Sequence, residues 1–176
     1  MRHVLKGLEV LHDKGIPHFN LKMDTILIGN EEAKLTDIFC LTNYPSRPTR
    51  SLGSRPMWQA PEVFAEVCGS KSWEADIWSV GILAIQLSTR STPNSDASFL
   101  RYLFQCHTQT LSPPKLEGKF SQDFKDFVSK CTQVNPGARL SVKELLLEPF
   151  IVNHKDTRFD GAAMVRHYYN HNPKKR

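Results

Sequence analysis

One stretch constrains the fold of this chain more than any other. Residues 75–88 carry Ile77, Val80, Ile82, Leu83, Ile85 and Leu87 with little polar interruption. A helix that is apolar all round has to be enclosed by other elements, so this stretch predicts a central buried helix. The remainder of the chain must therefore form a shell around it. A length of 176 residues with 40% hydrophobic side chains suits one domain with a real core.

The shell is legible as mostly helical. Val4, Leu5, Leu8 and Leu11 recur at helical spacing, and Gly15-Ile16-Pro17 ends that first helix. Residues 25–28 read as a strand, 29–32 as a turn and 33–36 as its partner, which makes a small hairpin flanked by Asn20 and Asp37. From 41 to 55 the chain is rich in Pro, Ser, Thr and Arg. Pro45, Pro48 and Pro56 forbid a continuous helix, so a long exposed loop is expected. Helices return at 98–107 and 121–131, the second opened by the capping residue Ser121 and carrying Phe124, Phe127 and Val128 on one face. Ser141 and Glu144 have capping-box spacing ahead of Leu145-Leu146-Leu147, and a last helix is expected over 160–169. There is no internal repeat.

Composition excludes several classes of function. No apolar run reaches membrane-spanning length, and the first residues are too short and polar a stretch for a secretion signal, so a cytoplasmic location is expected. Cys40, Cys68, Cys106 and Cys131 are widely spaced without a C-x-x-C pair, which speaks against zinc and leaves buried or incidental thiols. The net charge of +5 includes Lys174-Lys175-Arg176. That run is short and lacks interleaved stacking aromatics, so it reads as a solvated tail and no nucleic-acid partner is expected.

Four landmarks then occur in order. His18-Phe19-Asn20-Leu21-Lys22-Met23-Asp24-Thr25 resembles the H-R-D-L-x-x-x-N catalytic loop of protein kinases, and Asp37-Ile38-Phe39 stands where kinases carry D-F-G. Ala60-Pro61-Glu62 matches A-P-E unchanged, and Asp76-Ile77-Trp78-Ser79-Val80-Gly81 matches D-x-W-S-x-G. The resemblance covers roughly residues 4–152 and is to the larger, mainly helical lobe of a serine/threonine kinase. Residues 5–12, 75–85 and 113–121 are similar to stretches of the germinal-centre kinase group. It implies a mainly α fold with a small β-hairpin, the kinase C-lobe over 1–152, followed by a C-terminal helix and basic tail over 153–176. No G-x-G-x-x-G and no V-A-I-K strand occurs, so the small nucleotide-covering lobe is expected to be absent.

The resemblance assigns roles position by position. Asn20 stands at the catalytic aspartate. Its amide has no basic lone pair at neutral pH, and loss of a general base typically lowers a rate about 10²- to 10⁴-fold. Lys22 matches the lysine placed near the transferred phosphate, with a surface lysine as the plain alternative. Thr25 replaces the asparagine that supports magnesium, with a weaker and shorter ligand. Asp37 keeps the main magnesium carboxylate, yet one carboxylate is not a site, and a turn residue is the better reading. Ile38 could fill the apolar slot of the D-F-G phenylalanine. Phe39 replaces a glycine whose backbone freedom a bulky side chain resists. Phe19 replaces the arginine that would receive an activation-loop phosphate. Ser51, among Arg47, Arg50 and Arg55, falls near the family's phosphorylation position, either as a site for another kinase or as an ordinary loop serine. The fold-holding set is kept. Glu62 is implied to pair with Arg139, Asp76 to hold the catalytic-loop backbone and His18 to pack below the D-F-G position.

Lost chemistry with retained scaffold implies a pseudokinase-like interaction module with protein partners, docked in part through the surface a small lobe would cover. It needs no cofactor, although residual binding of ATP and Mg²⁺ stays open. An active kinase completed by a small lobe supplied elsewhere, and a truncated remnant without a selected role, are the alternatives.

Overall fold

The computed structural model describes residues 1–38, 58–64, 73–93, 98–116, 118–154 and 160–163. The expected loop over 41–55, and with it Ser51, Phe39, Cys40 and Cys68, lies outside the described residues, as does most of the helix expected over 160–169. Within the described residues the chain is mainly helical with one two-stranded antiparallel sheet. No described helix is long and apolar enough to cross a membrane.

Helix α1 (Arg2–His12) leads through a tight turn and an extended loop to the hairpin of β1 (Ile26–Ile28) and β2 (Ala33–Leu35). The register pairs Ile26 with Leu35 and Ile28 with Ala33. Ile26 and Leu35 pack against the core, whereas Leu27 and Ile28 are exposed. Thr25, expected as the first strand residue, instead closes a 3₁₀ turn over Met23–Thr25. The side chain of His3 on α1 accepts from the Ala33 amide at 3.1 Å and ties the hairpin to the helix.

The short α2 (Pro61–Phe64) precedes α3 (Glu74–Thr89), the central helix. Its all-round apolarity has a concrete cause, because opposite faces feed two separate clusters. Ile77, Val80, Leu83 and Ala84 pack with Val4, Leu5 and Leu8 of α1 and with Phe124, Phe127, Val128 and Cys131 of α5 (Gln122–Cys131). Ala75, Trp78 and Ile82 pack with Ala60 and with Tyr102 and Cys106 of α4 (Phe99–His107). Burial extends through Ile85, and Leu87, beyond the core, is exposed. Gly81 lets α3 and the end of α5 approach closely, since a Cβ there would lie 2.5 Å from Thr132 Cγ2 and 2.8 Å from Cys131 Cβ.

Ser121 caps α5 by accepting from the Phe124 amide. Ser141 and Glu144 form the reciprocal capping box of α6 (Val142–Leu145). That helix stops at Leu145, and Leu147 points into solvent. In α7 (Pro149–Val152) Phe150 packs at a tilt against Phe124 and Phe127, with centroids 5.0 and 5.1 Å away. The described thiols, Cys106 and Cys131, are buried and unbridged, and burial pushes Cys106 up to about 11 and Cys131 higher still.

Candidate functional site

The loop over residues 18–25 is built around a buried carboxylate that reaches it from far along the chain. Asp76, in the first turn of α3, accepts from the His18 amide through Oδ2 at 2.7 Å and from the Phe19 amide through Oδ1 at 2.8 Å. His12, at the end of α1, donates to Oδ2 through Nε2 at 2.9 Å, since an ionised carboxylate can only accept. A nearly inaccessible charge is tolerable only when its lone pairs are filled, and here each oxygen has a main-chain donor. Phe19 takes a positive φ of 57°, which for a bulky residue needs such tethering.

Inside the loop the imidazole of His18 is fully buried. Its Nδ1 accepts from the Asn20 amide at 3.3 Å, so the proton resides on Nε2. Burial lowers its pKa, and the neighbouring Asp76 charge and the Thr36 backbone push back without winning. His18 is therefore neutral at pH 7. Nε2 makes no well-formed hydrogen bond among the described residues, and the Thr36 backbone acts on the imidazole only as a weak hydrogen-bond partner.

Thr25 is the inner staple of the same loop. Its hydroxyl accepts from the Lys22 amide at 3.1 Å and shares its proton between the carbonyls of Asn20 and Lys22, both at 3.0 Å. The side chain is buried. Thr36 donates to the Thr25 carbonyl from its amide at 2.9 Å, joining the loop to the end of β2. Next in the chain, Asp37 is exposed with a φ of 55°, a conformation that Asp tolerates better than most residues. Ile38 is 43% exposed, so the apolar slot expected for it is not where it sits. Asn20 and Lys22 are half-buried at the loop surface.

Thr25 and Asp37 stand at the two positions where the resemblance implies Mg²⁺ ligands. A hard cation takes several oxygen ligands. The Thr25 oxygen faces inward and is committed to the loop, which leaves the Asp37 carboxylate. No group of three or more His, Cys, Asp or Glu that could hold a metal occurs among the described residues.

A second constellation fixes the floor beneath the loop. Arg139, which follows the 3₁₀ turn Pro136–Ala138, grips Glu62 of α2 with Nη1 to Oε1 at 2.6 Å and Nη2 to Oε2 at 2.8 Å. The same guanidinium donates to the Glu74 carbonyl at 2.8 Å and the Gln133 carbonyl at 2.8 Å, and lies 5.1 Å above the Trp78 ring. The segment 58–60 is then pinned from two helices. Ser79 donates to the Trp58 carbonyl at 2.7 Å, Gln86 accepts from the Trp58 indole at 3.0 Å, and Tyr102 donates to the Gln59 carbonyl at 3.0 Å. Phe19 packs against this floor with Trp58, Val63 and Phe64. It thereby joins the loop over 18–25 by apolar contact to the cluster that contains Ala60.

The structure thus gathers His18, Asn20, Lys22, Thr25, Asp37 and Asp76 into one region and places Glu62 with Arg139 below it. Sequence reasoning missed His12 and Trp78. Each lies in a quoted stretch of the resemblance, but nothing in their spacing marks them as partners of Asp76 and Arg139.

Residues 1–151 match the protein kinase domain family. The chain is 39% identical over 156 residues to serine/threonine-protein kinase sid1 of Schizosaccharomyces pombe, covering 86% of this chain and 32% of the relative. It is 36% identical over 162 residues to serine/threonine-protein kinase dst2 of Dictyostelium discoideum, covering 88% of this chain and 14% of the relative. It is 35% identical over 160 residues to serine/threonine-protein kinase 4 homolog A of Dictyostelium discoideum, covering 88% of this chain and 34% of the relative. The chain therefore spans about a third or less of the length of these curated relatives.

Proposed function

Because the chain belongs to the protein kinase family, we propose that it is a catalytically impaired member, of the germinal-centre kinase type, whose folded helical lobe serves as a protein-interaction module in signalling. One observation carries the reading. The position of the general base is an amide, Asn20, in a loop whose scaffold is otherwise satisfied by Asp76, His18 and Thr25. An amide hydrogen-bonds a substrate hydroxyl but cannot take its proton. The inward hydroxyl of Thr25 supports the same reading, because it leaves the Asp37 carboxylate without a companion oxygen at that position. The scaffold contacts supply what an interaction module requires, a fixed surface on a rigid core.

The second reading is a serine/threonine kinase that transfers the γ-phosphate of ATP to protein, completed by a small lobe from elsewhere. Lys22 and Asp37 favour it, since both are chemically competent.

Thermal melting of the purified chain with and without ATP and Mg²⁺ separates the two. A cooperative melt that nucleotide leaves unmoved is the expected result. A magnesium-dependent upward shift that disappears in Asp37→Ala would overturn the nucleotide-free reading and call for a phosphoryl-transfer assay. The absence of any cooperative melt would favour the remnant and remove both readings.

A further inference from the structure

Beyond α7 the chain returns to the hairpin. The Gly161 amide donates to the Asn30 carbonyl at 2.9 Å, at the turn between β1 and β2. Gly161 is buried there. A Cβ on it would lie 1.7 Å from the Gly29 carbonyl oxygen, 2.8 Å from the Gly29 carbonyl carbon and 3.0 Å from Ile28 Cγ2. Backbone meets backbone at this point, and no side chain fits between. Asp160 sets the approach, its Oδ1 accepting from the Ala163 amide at 2.8 Å.

The place of contact matters more than the contact itself. The turn is closed by the Gly29 amide donating to the Glu32 carbonyl at 2.8 Å. The paired strands run from that turn back to Thr25 on one side and Thr36 on the other, and Asp37 follows directly. From α1, His3 braces the Ala33 amide at 3.1 Å. The hairpin is only a few residues long on each side, and a ladder that short is marginal unless braced from outside. Residues 160–163 supply a brace at the tip, opposite the end that carries the site.

We propose that the hairpin turn is the docking site for the chain's own segment 160–163, with Gly161 as its positioning residue. The docked segment holds the strand pair in register and so fixes where Thr25 and Asp37 stand. The coupling holds whether or not the lobe transfers phosphate.

Amide-resolved hydrogen exchange on the full chain tests this, comparing wild type with Gly161→Val. The lost bond and forced separation should speed exchange about tenfold at Gly29, and by a smaller factor at Thr36, with the amides of α5 unchanged. Gly137→Ala, at an exposed glycine where an added Cβ would meet nothing nearer than Asn135 Oδ1 at 3.6 Å, should leave all of these amides as in wild type. Unchanged exchange at Gly29 in Gly161→Val overturns the proposal. If Gly161→Val also strips protection from α5, Asp160→Ala decides. Faster exchange confined to the hairpin then upholds the docking, and none overturns it.

Discussion

Arg139 holds Glu62 through both terminal nitrogens, at 2.6 and 2.8 Å, across 77 residues of sequence, with both side chains almost out of reach of water. The remaining guanidinium donors go to the carbonyls of Glu74, Gln133 and Val134, so little of this buried charge is left unanswered. The pair ties the start of α2, the start of α3 and the loop after α5 to one point.

Removing one partner leaves the other as an uncompensated buried charge. Glu62→Ala and Arg139→Ala should each lower stability by about 3 to 5 kcal/mol, read from urea denaturation midpoints at constant slope. The double variant Glu62→Ala/Arg139→Met should cost less than the sum, and strict additivity would show that the two residues do not act as a pair.

Asp76→Asn tests the tether of the loop. Both carboxylate oxygens receive main-chain donors, and an amide offers one oxygen and turns its NH₂ toward the other donor. One buried N–H is then left unsatisfied, at a cost of about 1 to 3 kcal/mol. Faster exchange of the His18 or Phe19 amide should accompany the loss of stability. Intact protection at both would mean that the loop is held by something else.

Stability should fall in mild acid because of His18. Its folded pKa lies below the ordinary 6.5, so the unfolded chain binds the proton more readily. The stabilisation is complete above the unfolded value and is lost as pH falls from about 6.5 through the lower folded value. Denaturation series between pH 5 and 7.5 on wild type and His18→Phe read this directly. The variant should show a shallower dependence over that window, and equal slopes would remove His18 as the cause.

Phe19→Ala should loosen the contact between the loop and residues 58–64. Full burial of a phenylalanine would predict about 3 to 5 kcal/mol on truncation, and half-burial reduces the expectation to about 2 kcal/mol. Trp58 packs in the same cluster and reports on it, so its fluorescence should shift toward that of a hydrated indole. An unchanged spectrum would mean that Phe19 does not support the segment.

Thr25→Val keeps the shape and removes the hydroxyl. The Lys22 amide and the carbonyls of Asn20 and Lys22 all lose a partner, for about 1 to 3 kcal/mol. Asn20→Asp alone, with Thr25 still turned inward, should not confer phosphate transfer to a protein substrate in a radiolabel assay. Measurable transfer from that single variant would place the impairment entirely at the base.

Local and periodic signals were enough for α1, the hairpin, α3, α4 and α5 and for the family, whereas the short α2 and α7 carry no such signal. The apolar run at 75–88 marks α3 because burial on every face leaves no room for polar residues. Ser121 and Ser141 mark helix starts because an exposed amide near a helix N-terminus needs an acceptor close in sequence. The ordered motifs give the expected site positions for the same reason, since each is a short local pattern. What lies between distant residues was not legible. His12 meets Asp76 across 64 positions, and only the crossing of α1 with the loop brings them together. That α3 feeds two clusters rather than one, that Ile38 and Leu147 face water, and that the Thr25 hydroxyl turns inward depend on how the backbone is directed by elements far away in sequence. Gly161 shows the limit most sharply. In sequence it is one glycine among nine, and its meaning appears only when folding brings the Gly29 carbonyl to within 1.7 Å of where its side chain would begin. Residue types set which contacts are chemically possible, and the tertiary structure selects among them because buried groups must find partners wherever the chain path puts them.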